Sequence, residues 1–294
     1  KKIISIIRII NKLLIINMNI QLRKFDMGSI ADGKVIVFVG KRQTGKSFLV
    51  RDLLYYKRHI PLGTVISGTE ESNGFYGKLV PPLFIHDEYN EEIITNVIKR
   101  QKLVINKMQQ EEKQYGGSNI DPNAFLILDD CLYDNSWIKS KQIRSLFMNG
   151  RHYKMMFIIT MQYSLGIPPN LRTNIDYVFI LREPNLQNRK RLYESYAGMF
   201  PSFDIFCQVM DQCTENYECL VINNNSHSNK LEDMVFWYKA DDHEEFRIGG
   251  IEYWNHHANN FNHNYNEEEE TGDDLDAIFA RKKNGPIINV KKTI

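Results

Sequence analysis

The stretch GKRQTGKS, residues 40–47, decides the fold and fits the phosphate-binding loop pattern G-x-x-x-x-G-K-[ST]. The apolar run VIVFV, residues 35–39, precedes it and predicts a buried strand, whereas residues 48–57 predict a helix. A strand, a glycine-rich turn and a helix in this order form the context in which such a loop holds phosphate. The alternative is a chance loop before a core helix, and the flanking strand and helix argue against it.

The chemistry of the loop follows from its residue types. Gly40 and Gly45 permit backbone angles that let successive amides face one anion, and the positive end of the next helix adds to that field. Lys46 is expected to reach the β- and γ-phosphates, and the Ser47 hydroxyl is expected to ligate Mg²⁺. The residues predicted to bind the nucleotide are Gly40, Lys41, Arg42, Gln43, Thr44, Gly45, Lys46 and Ser47.

A second motif, FLILDD at residues 125–130, supplies carboxylates. Its apolar residues predict a buried strand, and its carboxylates come at the carboxyl end, where open α/β sheets bind ligands. Asp129 is expected to hold the Mg²⁺ ion, and Asp130 to orient or deprotonate the attacking water. The alternative is a structural strand followed by an acidic turn or a helix cap.

Two further residues flank the apolar run at 155–161. If that strand lies between the strands ending at Gly40 and Asp129, Gln162 points at the γ-phosphate; otherwise it is a polar loop residue. Arg151 precedes the run and is placed to serve the nucleotide site of a neighbouring subunit, where a guanidinium stabilises transition-state charge. A helix-terminal cation is the alternative for Arg151, and Arg144 and Lys154 are rival candidates.

The rest of residues 28–240 alternates apolar runs with helical patterns, which predicts a mainly parallel central sheet flanked by helices. A long helix is expected at 90–114, where apolar residues recur at helical spacing. The late strands, 219–222 and 234–238, are expected to pair at a sheet edge. Other strands are predicted at 64–67, 81–85, 124–128 and 177–181, and other helices at 139–148, 186–196 and 203–211.

These motifs in this order resemble the FtsK–HerA superfamily of ring ATPases. Within it the resemblance is to DNA-packaging ATPases of large nucleocytoplasmic DNA viruses, of the poxvirus and mimivirus type. That superfamily has an extra strand between the two Walker strands, an arginine before it and a glutamine at its end. MQYSLGIPPNLRTNIDYVFILRE, residues 161–183, resembles the stretch after that glutamine. Many relatives carry Asp-Glu where this chain has Asp129-Asp130, and the shorter carboxylate of Asp130 would shift the position of the attacking water.

The resemblance implies an α/β fold of the P-loop NTPase class (ASCE, RecA-like), with ATP and Mg²⁺ as cofactors. It implies a homo-oligomeric ring, pentamer or hexamer, that hydrolyses ATP to package double-stranded DNA in the host cytoplasm (virus factory) or virion. Capsid or inner-membrane proteins of the virion are further expected partners. The alternatives are a DNA-transfer or helicase-like motor of the same superfamily, and a non-motor nucleotide switch or kinase. Candidate DNA-contacting residues are Arg172, Arg182, Arg189, Lys190 and Arg191.

Composition limits the ways in which the protein meets its partners. The 294 residues carry a formal net charge of +1, so nucleic acid must be held by local basic patches. Hydrophobic content of 43% is typical of a globular protein. The spacing of the last three of the four cysteines fits no zinc site, and free thiols in a reducing compartment are expected in preference to a disulfide or a metal.

Both ends of the chain differ in composition from the predicted ATPase domain at 28–240. Residues 1–27 are interpreted as an N-terminal extension, either an amphipathic helix or translated flanking sequence outside the native product, and charges argue against a spanning helix. Residues 241–294, rich in Asn, His and Glu, are expected to form a mobile polar tail. His256, His257 and His263 could hold a metal, but a solvated tail is the favoured interpretation.

Overall fold

The computed structural model describes residues 20–130, 136–163 and 167–261. Within these ranges the chain builds one central sheet. Its strands are β1 (Val35–Val39), β2 (Leu62–Ser67), β3 (Ile85–His86), β4 (Ala124–Asp129), β5 (Met155–Met161), β6 (Tyr177–Ile180), β7 (Glu218–Asn223) and β8 (Val235–Lys239).

Helices connect the strands and cover the sheet. None of those in the described ranges combines the length and apolar character needed to cross a lipid bilayer. The helices are α1 (Lys46–Tyr56), α2 (Glu70–Asn73), α3 (Glu91–Tyr115), α4 (Ser136–Lys139), α5 (Lys141–Asn149), α6 (Pro169–Arg172), α7 (Leu186–Tyr196), α8 (Phe203–Cys213), α9 (Leu231–Met234) and α10 (Ile251–Asn260).

The strand order is β3-β2-β4-β5-β1-β6-β7-β8. The strands from β3 to β6 in this order are all parallel, whereas β7 pairs antiparallel with both β6 and β8. The predicted mainly parallel sheet and its late edge pair are therefore confirmed. β5 lies between β1 and β4, with Met161 opposite Val39 and Thr160 opposite Asp129. This is the order that the interpretation of Gln162 requires.

The core has one apolar layer on each face of the sheet. Along β1, Val35, Val37 and Val39 pack into one layer, and Ile36 and Phe38 pack into the other. Parallel strands that are covered on both faces are continuous apolar runs in the sequence. The central strands could therefore be predicted from these runs.

Local signals account for the element ends that position these layers. Asn90 caps the start of α3, because its side chain accepts a hydrogen bond from the Glu92 amide, and Gly116, in the left-handed conformation with φ of 78°, caps its end.

The predicted strand at 81–85 is wrong over most of its length. Pro82–Phe84 forms a 3-10 turn, because proline at its start supplies no ladder amide, and only Ile85–His86 joins the sheet.

The packed domain extends past both predicted boundaries. Phe25 is buried, and its amide donates to the Trp237 carbonyl at 2.9 Å. Ile248 and Tyr253 are also buried, and Tyr253 Oη donates to the Gly63 carbonyl at 2.7 Å. The sequence predicts a mobile tail from residue 241, but Ile248 and Tyr253 within residues 241–261 pack against the domain. Residues 1–19, His263 and the acidic run at 267–270 lie outside the described residues.

Candidate nucleotide site

The loop between β1 and α1 has the geometry that an anion requires. Gly45 adopts φ of 103°, which side chains disfavour, and it leaves the first turn of α1 without a side-chain cap. A Cβ placed on Gly40 would lie 2.8 Å from both Leu181 Cβ and Thr44 Oγ1. Both glycines are therefore sterically required, and the helix amides point into an uncapped space suited to phosphate.

Lys46 is buried beneath this loop. Its Nζ donates to the Gly40 carbonyl at 2.8 Å and to the Lys41 carbonyl at 3.3 Å. The same ammonium lies 3.4 Å from Asp130 Oδ2. Lys46 is thus held between the phosphate loop and a carboxylate. In this position its ammonium could bind the β- and γ-phosphates of a triphosphate.

Asp129 ends β4 and is only 6% exposed. Thr160 Oγ1 donates to its Oδ1 at 2.6 Å, and Ser67 Oγ donates to its Oδ2 at 3.3 Å. These donors lie on the neighbouring strands β5 and β2, so the sheet register itself fixes the carboxylate.

Asp130 leaves the strand in the left-handed conformation, with φ of 47°. Its amide donates to Thr160 Oγ1 at 3.0 Å, so one hydroxyl supports both aspartates. Gln162 Nε2 donates to Asp130 Oδ2 at 3.3 Å. Strained backbone of this kind is concentrated at functional sites, and here it directs a carboxylate towards Lys46 and Gln162.

Burial sets the electrostatics of the pair. Desolvation raises the pKa of Asp129, the neighbouring charge of Asp130 raises it further, and the hydrogen bond from Thr160 opposes both. The buried Tyr76 has its pKa raised well above the ordinary value by desolvation and by the charge of Asp129. Within the described residues, no partner meets hydrogen-bond geometry to Tyr76 Oη. A buried carboxylate with a neutral phenol beside it is a place where a cation would offset the loss of hydration.

These residues fit Mg²⁺. Carboxylate and hydroxyl oxygens are the hard ligands that this ion takes, and it keeps several waters and phosphate oxygens besides. Ser47 lines a cavity of about 990 Å³ together with Lys46 and Asp130. Ser47 and Asp129 would be the protein ligands of this ion.

Arg151 lies apart from this site. It precedes β5 at the amino edge of the sheet, and its side chain is 66% exposed, with Nη2 3.5 Å from Asp176 Oδ1. A seven-residue strand spans about 20 Å, so Arg151 cannot reach the phosphate loop of its own subunit. The rival Lys154 lies in the same turn, with φ of 52°. The role of Arg151 in a neighbouring site remains a prediction.

The structure brings together the loop residues, both aspartates and Gln162, and it adds residues that the sequence reasoning missed. Thr160 and Ser67 are polar residues near the ends of buried apolar strands, a pattern that marks both as candidates but does not show which residue each contacts. Arg189, a candidate DNA contact, is instead buried, and its Nη2 lies 2.6 Å from Asp211 Oδ1. Lys41 is also paired, with Nζ 2.9 Å from Oε1 of the buried Glu183.

A phosphate loop after β1, paired aspartates at the end of β4 and an inserted β5 that leads to Gln162 together define a class. The chain is a P-loop ATPase. More particularly, the family described as Poxvirus A32 protein matches residues 23–248, and the chain belongs to that family.

Relatives of similar length occur in viruses. The chain is 41% identical over 273 residues to uncharacterized protein L437 of Acanthamoeba polyphaga mimivirus, covering 92% of this chain and 95% of L437. It is 44% identical over 239 residues to uncharacterized protein 075L of Invertebrate iridescent virus 6, covering 79% and 88%. Among solved structures, the genome packaging NTPase B204 of Sulfolobus turreted icosahedral virus 2, with AMPPCP, matches with a TM-score of 0.49 at 15% identity, covering 72% of this chain and all of B204.

Proposed function

We propose that this protein is an ATP-driven translocase of double-stranded DNA that packages a viral genome into a capsid, and that it works as a homo-oligomeric ring. Membership of the poxvirus A32 family and relatives in a mimivirus and an iridescent virus support a role in viral assembly. Its place of action would be the cytoplasm of the infected cell and the virion, with capsid or inner-membrane proteins as partners.

The observation that carries the proposal is the connected set Lys46, Asp130 and Gln162. Asp130 Oδ2 lies 3.4 Å from Lys46 Nζ and 3.3 Å from Gln162 Nε2. A bound triphosphate would compete for Lys46 and weaken its ion pair with Asp130. The freed carboxylate of Asp130 could then orient a water molecule and accept its proton. Gln162 would lose its hydrogen bond to Asp130 and donate to the γ-phosphate instead.

Mg²⁺, held by Ser47 and Asp129, would supply charge neutralisation of the phosphate oxygens when bound. The remaining chemistry belongs to the chain itself. The loop amides and the Lys46 ammonium would hold the phosphates in line, and the buried wall around Asp129 would exclude bulk water. Ser67 and Thr160 would keep Asp129 oriented through the cycle.

The place of Arg151 supports the ring. An arginine exposed at the edge of the sheet opposite to its own phosphate loop is too far from that loop to act on it, and it could act on the site of another subunit. Hydrolysis would then depend on the neighbouring subunit, because a guanidinium at the γ-phosphate stabilises the charge of the transition state. Subunits of a ring that hydrolyse ATP one after another require this dependence of each site on its neighbour.

DNA would be held through its phosphates, because packaging must accept any sequence. With a net charge of +1, the chain has no general attraction for DNA, so local basic residues must supply it. Arg182, Lys190 and Arg191 are exposed after β6 and on α7, and they remain candidates for these contacts.

The test is steady-state ATP hydrolysis by the full chain with and without duplex DNA. We expect DNA to stimulate the wild type, Lys46→Ala to abolish turnover, and Arg151→Ala to bind ATP without hydrolysing it. Mixing the two inactive variants should restore part of the activity, because some interfaces would pair an intact loop with an intact arginine. Arg247→Ala, which removes an exposed arginine that packs on Trp254, is the matched control and should hydrolyse normally.

Three results would count against the proposal. Absence of stimulation by duplex DNA would favour a nucleotide switch over a motor. Failure of every mixing ratio to restore hydrolysis would remove the role of Arg151 in a neighbouring site. Unwinding of a forked duplex would instead indicate a helicase-like motor, since a packaging motor moves on intact duplex.

A further inference from the structure

The cavity at the phosphate loop continues beyond the residues that would hold phosphate. There it is lined by Phe48 of α1, by Tyr217, which precedes β7, and by Lys239 and Ala240 at the end of β8. Phe48 is 65% exposed and Tyr217 is 67% exposed. Two exposed aromatic rings therefore border the same cavity as the phosphate loop.

Tyr217 is held over the loop by an unusual turn. Asn216 and Tyr217, between α8 and β7, both adopt positive φ, 51° and 65°. For a bulky residue such as tyrosine this conformation is disfavoured. A Cβ placed on Gly45 would lie 3.5 Å from Tyr217 Cδ1, so the ring lies against the end of the phosphate loop. The strained turn thus holds an exposed ring beside the loop.

The direction of a bound triphosphate identifies what this ring would meet. Lys46, Asp130 and Gln162 lie towards β4 and β5, so the γ-phosphate belongs on that side. β1 separates that side from β6, β7 and β8, and Tyr217 directly precedes β7. The opposite end of the ligand, its nucleoside, would therefore lie against Tyr217.

We propose that Tyr217 is the platform on which the nucleobase stacks, with Phe48 as a second apolar wall of the same pocket. This rests on the proposed binding of nucleotide at the phosphate loop and specifies how its other end is recognised. Stacking needs only the π-face that every base presents. Tyr217 therefore supplies affinity for nucleosides as a class, while choice among bases must come from polar groups.

Calorimetric titration of the full chain with Mg·ATP and with Mg·tripolyphosphate tests the platform, because tripolyphosphate has the phosphates and no base. Tyr217→Ala should weaken ATP binding about 5- to 150-fold, the range expected for one stacked base, and leave tripolyphosphate binding within about 2-fold. Tyr217→Phe should bind both ligands like the wild type. Tyr115→Ala, which removes an exposed ring at the end of α3, is the matched control and should change neither affinity.

Each alternative outcome has a defined meaning. If Tyr217→Ala weakened the binding of ATP and of tripolyphosphate equally, the proposed stacking role would be overturned, because the ring would then only support the phosphate loop. Unchanged ATP affinity would overturn it and leave the proposed function standing, whereas a wild type that binds neither ligand would remove both. If Tyr217→Ala does not fold, Tyr217→Leu keeps most of the volume without the aromatic face and should show the same selective loss.

Discussion

Thr160→Val is the most informative single substitution at the carboxylate pair, because one hydroxyl supports both aspartates. Thr160 Oγ1 donates to Asp129 Oδ1 at 2.6 Å and accepts from the Asp130 amide at 3.0 Å. Valine keeps the β-branched shape in the buried strand β5 and removes only the hydroxyl. The substitution therefore removes two hydrogen bonds without opening a cavity.

The expected magnitude follows from those two bonds. A hydrogen bond to a charged group contributes about 1.5–3 kcal/mol, and an amide left without its acceptor costs about 1–3 kcal/mol. Water can serve the partly exposed Asp130, so we expect a total loss of about 2–4 kcal/mol in the free energy of unfolding. For a domain of this size that corresponds to a fall in Tm of about 5–15 °C.

The pH dependence of this loss has a definite sign. Burial raises the pKa of Asp129 above its unfolded value, so ionised Asp129 destabilises the fold at neutral pH. Loss of the Thr160 hydroxyl raises that pKa further, because the bond favours the charged form. The destabilisation should be largest near neutral pH and should shrink as the pH falls through the folded pKa.

Thermal unfolding and ATP hydrolysis, each measured across pH, provide the assay. We expect the turnover number of Thr160→Val to fall about 10-fold or more, and the acid limb of its profile to move to higher pH. Thr95→Val removes a threonine hydroxyl that donates to the Glu91 carbonyl at 2.9 Å on α3, and it should leave the profile unchanged. An acid limb that does not move, with undiminished turnover, would refute the idea that Thr160 holds the aspartates.

Three further predictions concern single residues. Asp129→Asn should raise Tm of the nucleotide-free protein near neutral pH, because it removes a buried charge, while ATP hydrolysis is lost; a lower Tm at that pH would contradict the sign of the pKa shift. Gln162→Leu should keep ATP affinity within a few fold and slow hydrolysis about 10- to 100-fold, and equal losses in a binding titration and in turnover would argue for a purely structural role. Tyr253→Ala should lower the free energy of unfolding by about 3–5 kcal/mol in denaturant titration, because its ring is buried and its hydroxyl donates to Gly63; an unchanged midpoint would mean that residues after 240 do not stabilise the domain.

Contiguous features were predictable from the sequence. All residues of the loop at 40–47 are adjacent in the chain, and Asp129 and Asp130 directly follow an apolar run, so no tertiary information was needed to find them. The place of β5 between β1 and β4 was inferred from the family resemblance, because strand order depends on long-range pairing that local patterns do not encode.

Features that depend on register and on isolated apolar residues could not be predicted. Thr160 meets Asp129 only because β4 and β5 pair in one register. Tyr217 lies against the phosphate loop because the turn before β7 has positive φ at Asn216 and Tyr217, and the residue types of this turn do not predict that conformation. Ile248 and Tyr253 lie in a segment where polar residues outnumber apolar ones, so composition predicted a mobile tail, whereas both side chains are buried.

Displacement of a third strand from duplex DNA tests the central claim most directly. The account predicts that the wild type removes a triplex-forming oligonucleotide from linear duplex DNA with ATP and not with ADP, and that Lys46→Ala removes none. It also predicts that the two strands of the duplex stay paired throughout. Rapid ATP hydrolysis on the same DNA with the third strand left in place would contradict the claim that this site drives movement along DNA.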